Sequence, residues 1–181
     1  SEVGSVAVVT KRSMDESSTK YAQGGIASVL SEEDSFDLHI KDTLEAGAGL
    51  CHEDAVRVLV ENGPRRIREL IDWGAKFTFQ EGEGKAGVLD LGREGGHSRR
   101  RIVHAADLTG LEVERALIKE VTSKPNVHVF ENQMGIDLIT KGKLEKGIRL
   151  ASPEDVCYGA YGLNTEDGTI ETFLASSTLL A

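Results

Sequence analysis

Ten residues, Ser17-Ser18-Thr19-Lys20-Tyr21-Ala22-Gln23-Gly24-Gly25-Ile26, constrain this chain more than any other stretch. They combine hydroxyls, an amide and two consecutive glycines, carry neither helical nor strand periodicity, and come soon after the apolar run SVAVVT at residues 5–10. Glycine removes the side chain that would keep a backbone away from a flat or phosphorylated ligand, and leaves amide groups free to donate. A cofactor loop satisfies that pattern. So does an ordinary surface loop, because Gly and Ser are also turn formers, and the ten residues alone leave both readings open.

The rest of the chain has to supply a frame for such a loop. With 181 residues there is material for one domain with a real core. A formal net charge of -9 argues against a nucleic-acid binder, which would present a basic excess. Cys51 and Cys157 lie far apart without CxxC spacing, so neither a disulfide framework nor a zinc site is indicated, and a reducing, cytoplasmic setting is the expectation. No run approaches the roughly twenty apolar residues of a membrane span, and no basic-then-apolar leader opens the chain, so no membrane partner is expected. Twenty glycines against three prolines, without a repeat, point to many tight turns in an α/β chain.

Periodicity fills in the elements. Residues 5–10 read as a strand buried on both faces of a parallel sheet. Residues 35–46 place Phe36, Ile40 and Leu44 at helical spacing, with Gly47 and Gly49 as stops. A second helix is expected over 53–62, with Val56, Leu59 and Val60 on one face. A third runs over 64–73, opened by Pro64 at a first helical position and closed by Gly74. The pattern breaks down over 76–91, where EGEGKAG at 81–87 reads as an exposed turn. Thr109 with Glu112 spells a capping box for a helix carrying Leu111, Val113, Leu117, Ile118 and Val121, ended by Pro125-Asn126. Residues 127–131 and 136–140 read as strands and Lys141-Gly142-Lys143 as a turn. Residues 147–151, 157–164 and 169–174, with a turn at Asp167-Gly168, read as antiparallel hairpin material.

The second informative stretch is Arg93-Glu94-Gly95-Gly96-His97-Ser98-Arg99-Arg100-Arg101-Ile102-Val103-His104-Ala105-Ala106-Asp107. Four arginines so close together in an acidic protein make a local positive field able to clamp phosphate or carboxylate; structural ion pairs or a solvated run are the alternative. Glu94 beside two glycines suits a substrate ammonium or proton transfer. His97 and His104 lack a third ligand at metal spacing, so hydrogen-bonding or ion-pairing roles are expected of them. Cys51-His52-Glu53-Asp54 holds three ligand-capable types, but consecutive residues rarely converge on one ion, and acids at a helix start answer the helix dipole.

In this order, SSTKYAQGGIASV, REGGHSRRRIVHAADLTG and PNVHVFENQMGIDLIT resemble the L-aspartate oxidase family, a branch of the succinate dehydrogenase and fumarate reductase flavoprotein superfamily. The likeness covers nearly the whole chain, and the second motif is the more specific to the oxidase branch. It implies a fold class of α/β type: a partial Rossmann-like FAD-binding domain over residues 1–181, with a parallel sheet and helices plus a small antiparallel β-meander. Carried over by position, Lys11 stands where the family meets the adenosine of FAD. Ser18, Thr19, Lys20, Tyr21, Ala22, Gln23, Gly24 and Gly25 occupy the flavin and pyrophosphate loop, and the backbone near Ile136 falls at the adenine. Glu94 matches the glutamate that orients aspartate. The position of Ser18 is a histidine in relatives with covalent flavin, so the resemblance implies non-covalent FAD.

The implied reaction is oxidation of L-aspartate to iminoaspartate, the first step of NAD biosynthesis, with oxygen or fumarate as electron acceptor and quinolinate synthase as a partner. A soluble fumarate reductase or succinate dehydrogenase flavoprotein is the alternative within the superfamily, and a non-catalytic anion-binding α/β module the alternative outside it. The family begins with a strand and a GxGxxG turn and continues into a capping domain, neither of which this sequence contains. The expectation is therefore an internal piece, lacking the first β-α unit and the cap, that by itself is inactive and binds FAD weakly or not at all.

Overall fold

The computed structural model describes residues 4–82, 87–106, 108–146 and 154–181. The centre of the turn expected at 81–87, Asp107, and the hairpin segment expected at 147–151 lie outside the described residues. In chain order the elements are β1 (Val6–Val9), β2 (Ile26–Ala27), α1 (Phe36–Ala46), α2 (Glu53–Asp72), β3 (Leu91–Gly92), β4 (Ile102–Val103), α3 (Thr109–Thr122), β5 (Val127–Phe130), β6 (Gln133–Thr140), α4 (Lys141–Lys146), β7 (Cys157–Asn164) and β8 (Ile170–Leu174). They fall into two compact units, residues 1–16 with 121–181, and residues 17–120.

In the first unit β1 runs parallel to β5, with Val6 opposite Val127 and Val9 opposite Phe130. The parallel pairing agrees with the sequence, but the burial on both faces does not. Val6 is 37% and Val9 39% exposed, because β5 is the only ladder partner of β1 among the described residues. β6, β7 and β8 form an antiparallel meander: β7-β8 is the hairpin expected over 157–164 and 169–174, turned at Asp167-Gly168, where Gly168 has φ +76°, while the strand expected over 136–140 starts earlier, at Gln133, and pairs with β7. Lys141-Gly142-Lys143 is not a turn but the start of α4. The Gly142 N–H donates to Asp155 and the Lys143 N–H to the Thr140 hydroxyl, so side chains satisfy amides that a helix start leaves open.

The second unit is built on α1, α2, α3 and the short antiparallel sheet β2-β4-β3. Ser35 caps α1, its hydroxyl accepting from the Leu38 N–H. The two helices expected on either side of Pro64 are one, α2, with Pro64 inside it. A proline in a helix interior costs about 3 kcal/mol. The buried stripe Val56, Val60, Pro64 and Ile67 is continuous across it, and each large apolar side chain so buried contributes about 1.5–3 kcal/mol. Leu59, expected on that face, is instead 72% exposed. Ile67 joins Ala75, Phe77, Val103, Val113 and Ala116 in one core, and Ile40 packs with Val56 and Val60 in another.

The capping box on α3 does not form. The Thr109 hydroxyl accepts from the Ala105 N–H, and the Glu112 carboxylate is taken by the Lys76 N–H and the Arg115 guanidinium. A charged, forked partner outcompetes a single backbone amide. No helix of the described residues is long and apolar enough to cross a membrane.

Candidate functional site

Residues 17–25 pass from one unit boundary to β2 without helix or strand, and the fold holds them at defined points. The Ser17 hydroxyl donates to the Glu114 carboxylate, and the Lys20 N–H donates to the Ser17 oxygen. The Ala22 N–H closes a turn onto the Thr19 carbonyl, and the Ala22 carbonyl accepts from the Gly110 N–H at 3.0 Å. Both glycine contacts of the loop are tight. A Cβ on Gly110 would lie 1.9 Å from the Thr19 carbonyl oxygen, and one on Gly25 would lie 2.2 Å from Ile102 and 2.5 Å from the Val103 carbonyl oxygen.

This anchoring turns two loop carbonyls toward α3 and leaves donors over. Ser18, Thr19, Tyr21, Ala22, Gln23 and Gly24 are exposed. Among the described residues, the N–H groups of Gln23 and Gly24 and the hydroxyls of Ser18 and Thr19 have no protein acceptor. A braced loop that offers amides and hydroxyls and little in the way of side chains suits a ligand rich in acceptor atoms.

Glu94 is brought to the same loop. Residues 93–101 connect β3 to β4; the His97 N–H donates to the Glu94 carbonyl, Arg93 donates to the His97 carbonyl at 3.0 Å, and Gly96 turns at φ +81°. A Cβ on Gly24 would lie 3.5 Å from Glu94 Oε1. The Glu94 carboxylate therefore stands against the loop glycine, and it accepts no hydrogen bond among the described residues. As an acceptor-only group it is available to a cationic donor.

The four arginines separate into different roles. Arg101 is fully buried and forks onto Asp34, Nε to Oδ2 at 2.8 Å and Nη2 to Oδ1 at 2.7 Å, while Nη1 reaches Asp42 at 2.7 Å. It is a structural ion pair, not an anion clamp. Arg99 and Arg100 remain exposed. The same Asp42 oxygen accepts from the Ser98 N–H and hydroxyl, so one carboxylate fastens both Ser98 and Arg101. Burial raises the Asp42 pKa, but the hydrogen bonds from Ser98 and Arg101 more than offset this and hold it at about 2. Burial, with the Arg101 charge, lowers the His39 pKa.

Because the folded Asp42 titrates below its ordinary value of 3.8, its contribution to stability is present above that value and lost as pH falls through the folded one. Asp42→Asn is expected to lower stability at neutral pH and to flatten the loss of stability between about pH 4 and pH 2. Denaturant midpoints measured across that range check it.

His97 stacks edge-on to His39 with ring centroids 5.7 Å apart and has Nδ1 3.4 Å from Arg101, while His104 Nε2 is 3.5 Å from Asp90. Hydrogen-bonding and ion-pairing roles agree with the sequence reading. Glu53 and Asp54 sit in the first turn of α2, and no group of three or more His, Cys, Asp or Glu among the described residues is placed to hold a metal ion. Lys11 and Ile136 belong to the first unit. Lys11 is exposed just past β1, where the Thr10 carbonyl accepts from the Gln133 N–H at 2.9 Å. Ile136 is 51% exposed and falls in a register shift between Gly135 and Asp137, so it has no partner on β7. Sequence reading missed that bulge because the expected strand, 136–140, began after Gly135; the strand starts at Gln133 and puts that glycine inside it.

An α/β frame that braces a glycine-bearing loop with unpaired donors defines a protein that binds a nucleotide cofactor. A family model for the FAD binding domain matches residues 2–181, and the chain belongs to that family. The chain is 49% identical over 178 residues to the chloroplastic L-aspartate oxidase 2-b of Nicotiana tabacum, covering 98% of this chain and 26% of that protein. It is 42% identical over 179 residues to the L-aspartate oxidase of Pseudomonas aeruginosa, covering 97% of this chain and 32% of that protein. Among solved structures, E. coli quinol fumarate reductase superposes with a TM-score of 0.84 at 26% identity, over 97% of this chain and 27% of that one. The Mycobacterium smegmatis Sdh1 complex in its apo form superposes at 0.81 and 28% identity, over 96% of this chain and 29% of that one. The chain thus spans about a quarter to a third of the length of these relatives.

The loop fits FAD on its own chemistry. Its unpaired amides and hydroxyls complement a ligand whose phosphates and ring edge are acceptors.

Proposed function

We propose that these residues form part of an enzyme that oxidises L-aspartate to iminoaspartate with non-covalent FAD. One observation carries the reading: an unpartnered Glu94 carboxylate stands against Gly24 of the cofactor loop, in a chain far nearer in sequence to L-aspartate oxidases than to the reductases whose fold it shares. FAD, when bound, supplies the hydride acceptor. Ser18, Thr19, Lys20, Tyr21, Ala22, Gln23, Gly24 and Gly25 hold the flavin and pyrophosphate by backbone and hydroxyl donors, and Lys11 and the Ile136 backbone hold the adenosine part. Ser18 has a hydroxyl where a covalent link would need an imidazole, so the cofactor stays dissociable.

Glu94 accepts from the substrate ammonium and so fixes the amino group, and with it the α-carbon, toward the loop. That contact separates an amino acid from a plain dicarboxylate such as succinate. Oxygen or fumarate takes the electrons, and a cytoplasmic setting with quinolinate synthase as consumer of the imine completes the proposal.

Glu94→Gln in the full-length protein tests it. Losing a charge-assisted hydrogen bond to an ammonium is expected to lower aspartate kcat/KM by roughly 10- to 100-fold, with fumarate reduction by the dye-reduced enzyme little changed. Equal losses in both reactions, or none in either, contradict the oxidase reading. A protein that reduces fumarate but never turns over aspartate is the reductase instead.

A further inference from the structure

The cofactor loop does not hold its shape alone, because Ser17 and Ala22 are both fastened to one face of α3. Gly110 and Glu114 are one helical turn apart, and therefore lie on the same side of the helix. Gly110 donates its N–H to the Ala22 carbonyl, and its missing Cβ makes room for the Thr19 and Ala22 carbonyl oxygens, which would lie 1.9 and 2.7 Å from such an atom. Glu114 is 6% exposed, a burial that a carboxylate tolerates only when it is bonded. Its partner is the Ser17 hydroxyl.

The Ser17 hydroxyl gives its one proton to the Glu114 carboxylate, which leaves the Ser17 lone pairs to the loop. The Lys20 N–H donates to that oxygen. Glu114, Ser17 and the Lys20 amide thus form a directed chain of hydrogen bonds whose polarity is set at the buried end.

We propose that Gly110 and Glu114 are positioning residues for FAD: α3 dictates the loop conformation in which the Gln23 and Gly24 amides face the cofactor, and Ser17 transmits it. This rests on reading residues 17–25 as the flavin loop. Neither Gly110 nor Glu114 need touch FAD.

The test is FAD affinity of the deflavinated full-length protein, read by fluorescence titration, with the apo-protein melting temperature measured alongside. Glu114→Ala and Ser17→Ala are each expected to raise the FAD Kd roughly tenfold and to shift the bound-flavin absorbance band. The double variant should bind no worse than either single one, because both break the same chain. Gly110→Ala should show the largest loss of all, and Glu114→Gln, which keeps shape and an acceptor, should restore part of the affinity. Single variants with Kd within twofold of wild type, or losses that add in the double variant, overturn the proposal. Should Gly110→Ala not fold, Ser17→Ala and Glu114→Ala decide alone. Wild-type protein that binds no FAD overturns the flavin-loop reading itself, and is told apart by that result.

Discussion

Replacing Arg101 with methionine is expected to destabilise the full-length protein by about 3–5 kcal/mol, the magnitude seen when one partner of a buried ion pair is removed. Asp34 and Asp42 would be left with side chains only 1% and 11% exposed and without the guanidinium that binds them. Asp34 precedes the α1 cap and Asp42 lies within α1, so losing Arg101 removes its ties between α1 and the start of β4 and leaves Ser98 to hold the connection that carries Glu94 to Asp42. Lysine should not rescue, since a single ammonium cannot fork onto Asp34 and reach Asp42 together. Urea denaturation midpoints of wild type, Arg101→Met and Arg101→Lys measure this. Near-neutral values for both variants would mean that the two carboxylates find other partners.

Gly25→Ala should be the most damaging single methyl in the cofactor loop. Its Cβ would meet Ile102 at 2.2 Å and the Val103 carbonyl oxygen at 2.5 Å, and neither neighbour is the free end of a flexible chain. Either the loop lifts away from β4 or β4 shifts in the core, where Val103 is fully buried. Overpacking of this kind costs about 1–3 kcal/mol, and a lifted loop loses FAD as well. The adjacent glycine is the control. A Cβ on Gly24 would lie 3.5 Å from its nearest neighbour, Glu94 Oε1, an ordinary contact, so Gly24→Ala should change stability by less than about 0.5 kcal/mol while raising the KM for aspartate. Thermal unfolding and steady-state kinetics on the two variants separate packing from substrate contact.

Much of this architecture was legible where the signal is local. The hairpin β7-β8 follows alternation and the Asp167-Gly168 turn, and α1 follows its periodicity and the glycines that stop it. The failures have separate physical causes. Pro64 reads as a helix start, but the apolar stripe from Val56 to Ile67 needs one helix to bury it. Thr109 and Glu112 read as a box, but Arg115 and the Lys76 amide claim the carboxylate. β2, β3 and β4 are two residues each, too short to show a period.

The site divides in the same way. The loop announces itself in composition, whereas the approach of Glu94 to Gly24 joins residues seventy positions apart and carries no sequence signature. Nothing in the run RRR distinguishes Arg101, which is buried on two aspartates, from Arg99 and Arg100, which are exposed. Gly110 and Glu114 likewise look like ordinary helix residues until their contacts with the loop are seen.

The central claim, that residues 17–25 and Glu94 make the flavin and substrate-ammonium site of an aspartate-oxidising enzyme, is tested most directly by anaerobic flavin bleaching. Purified full-length protein is mixed with L-aspartate or with succinate in the absence of oxygen, and the visible absorbance of the bound flavin is followed. Rapid bleaching by aspartate, slow bleaching by succinate, and loss of the aspartate response alone in Glu94→Gln are the results this account predicts. Bleaching by succinate with no response to aspartate, or an aspartate response that Glu94→Gln leaves unchanged, would contradict it.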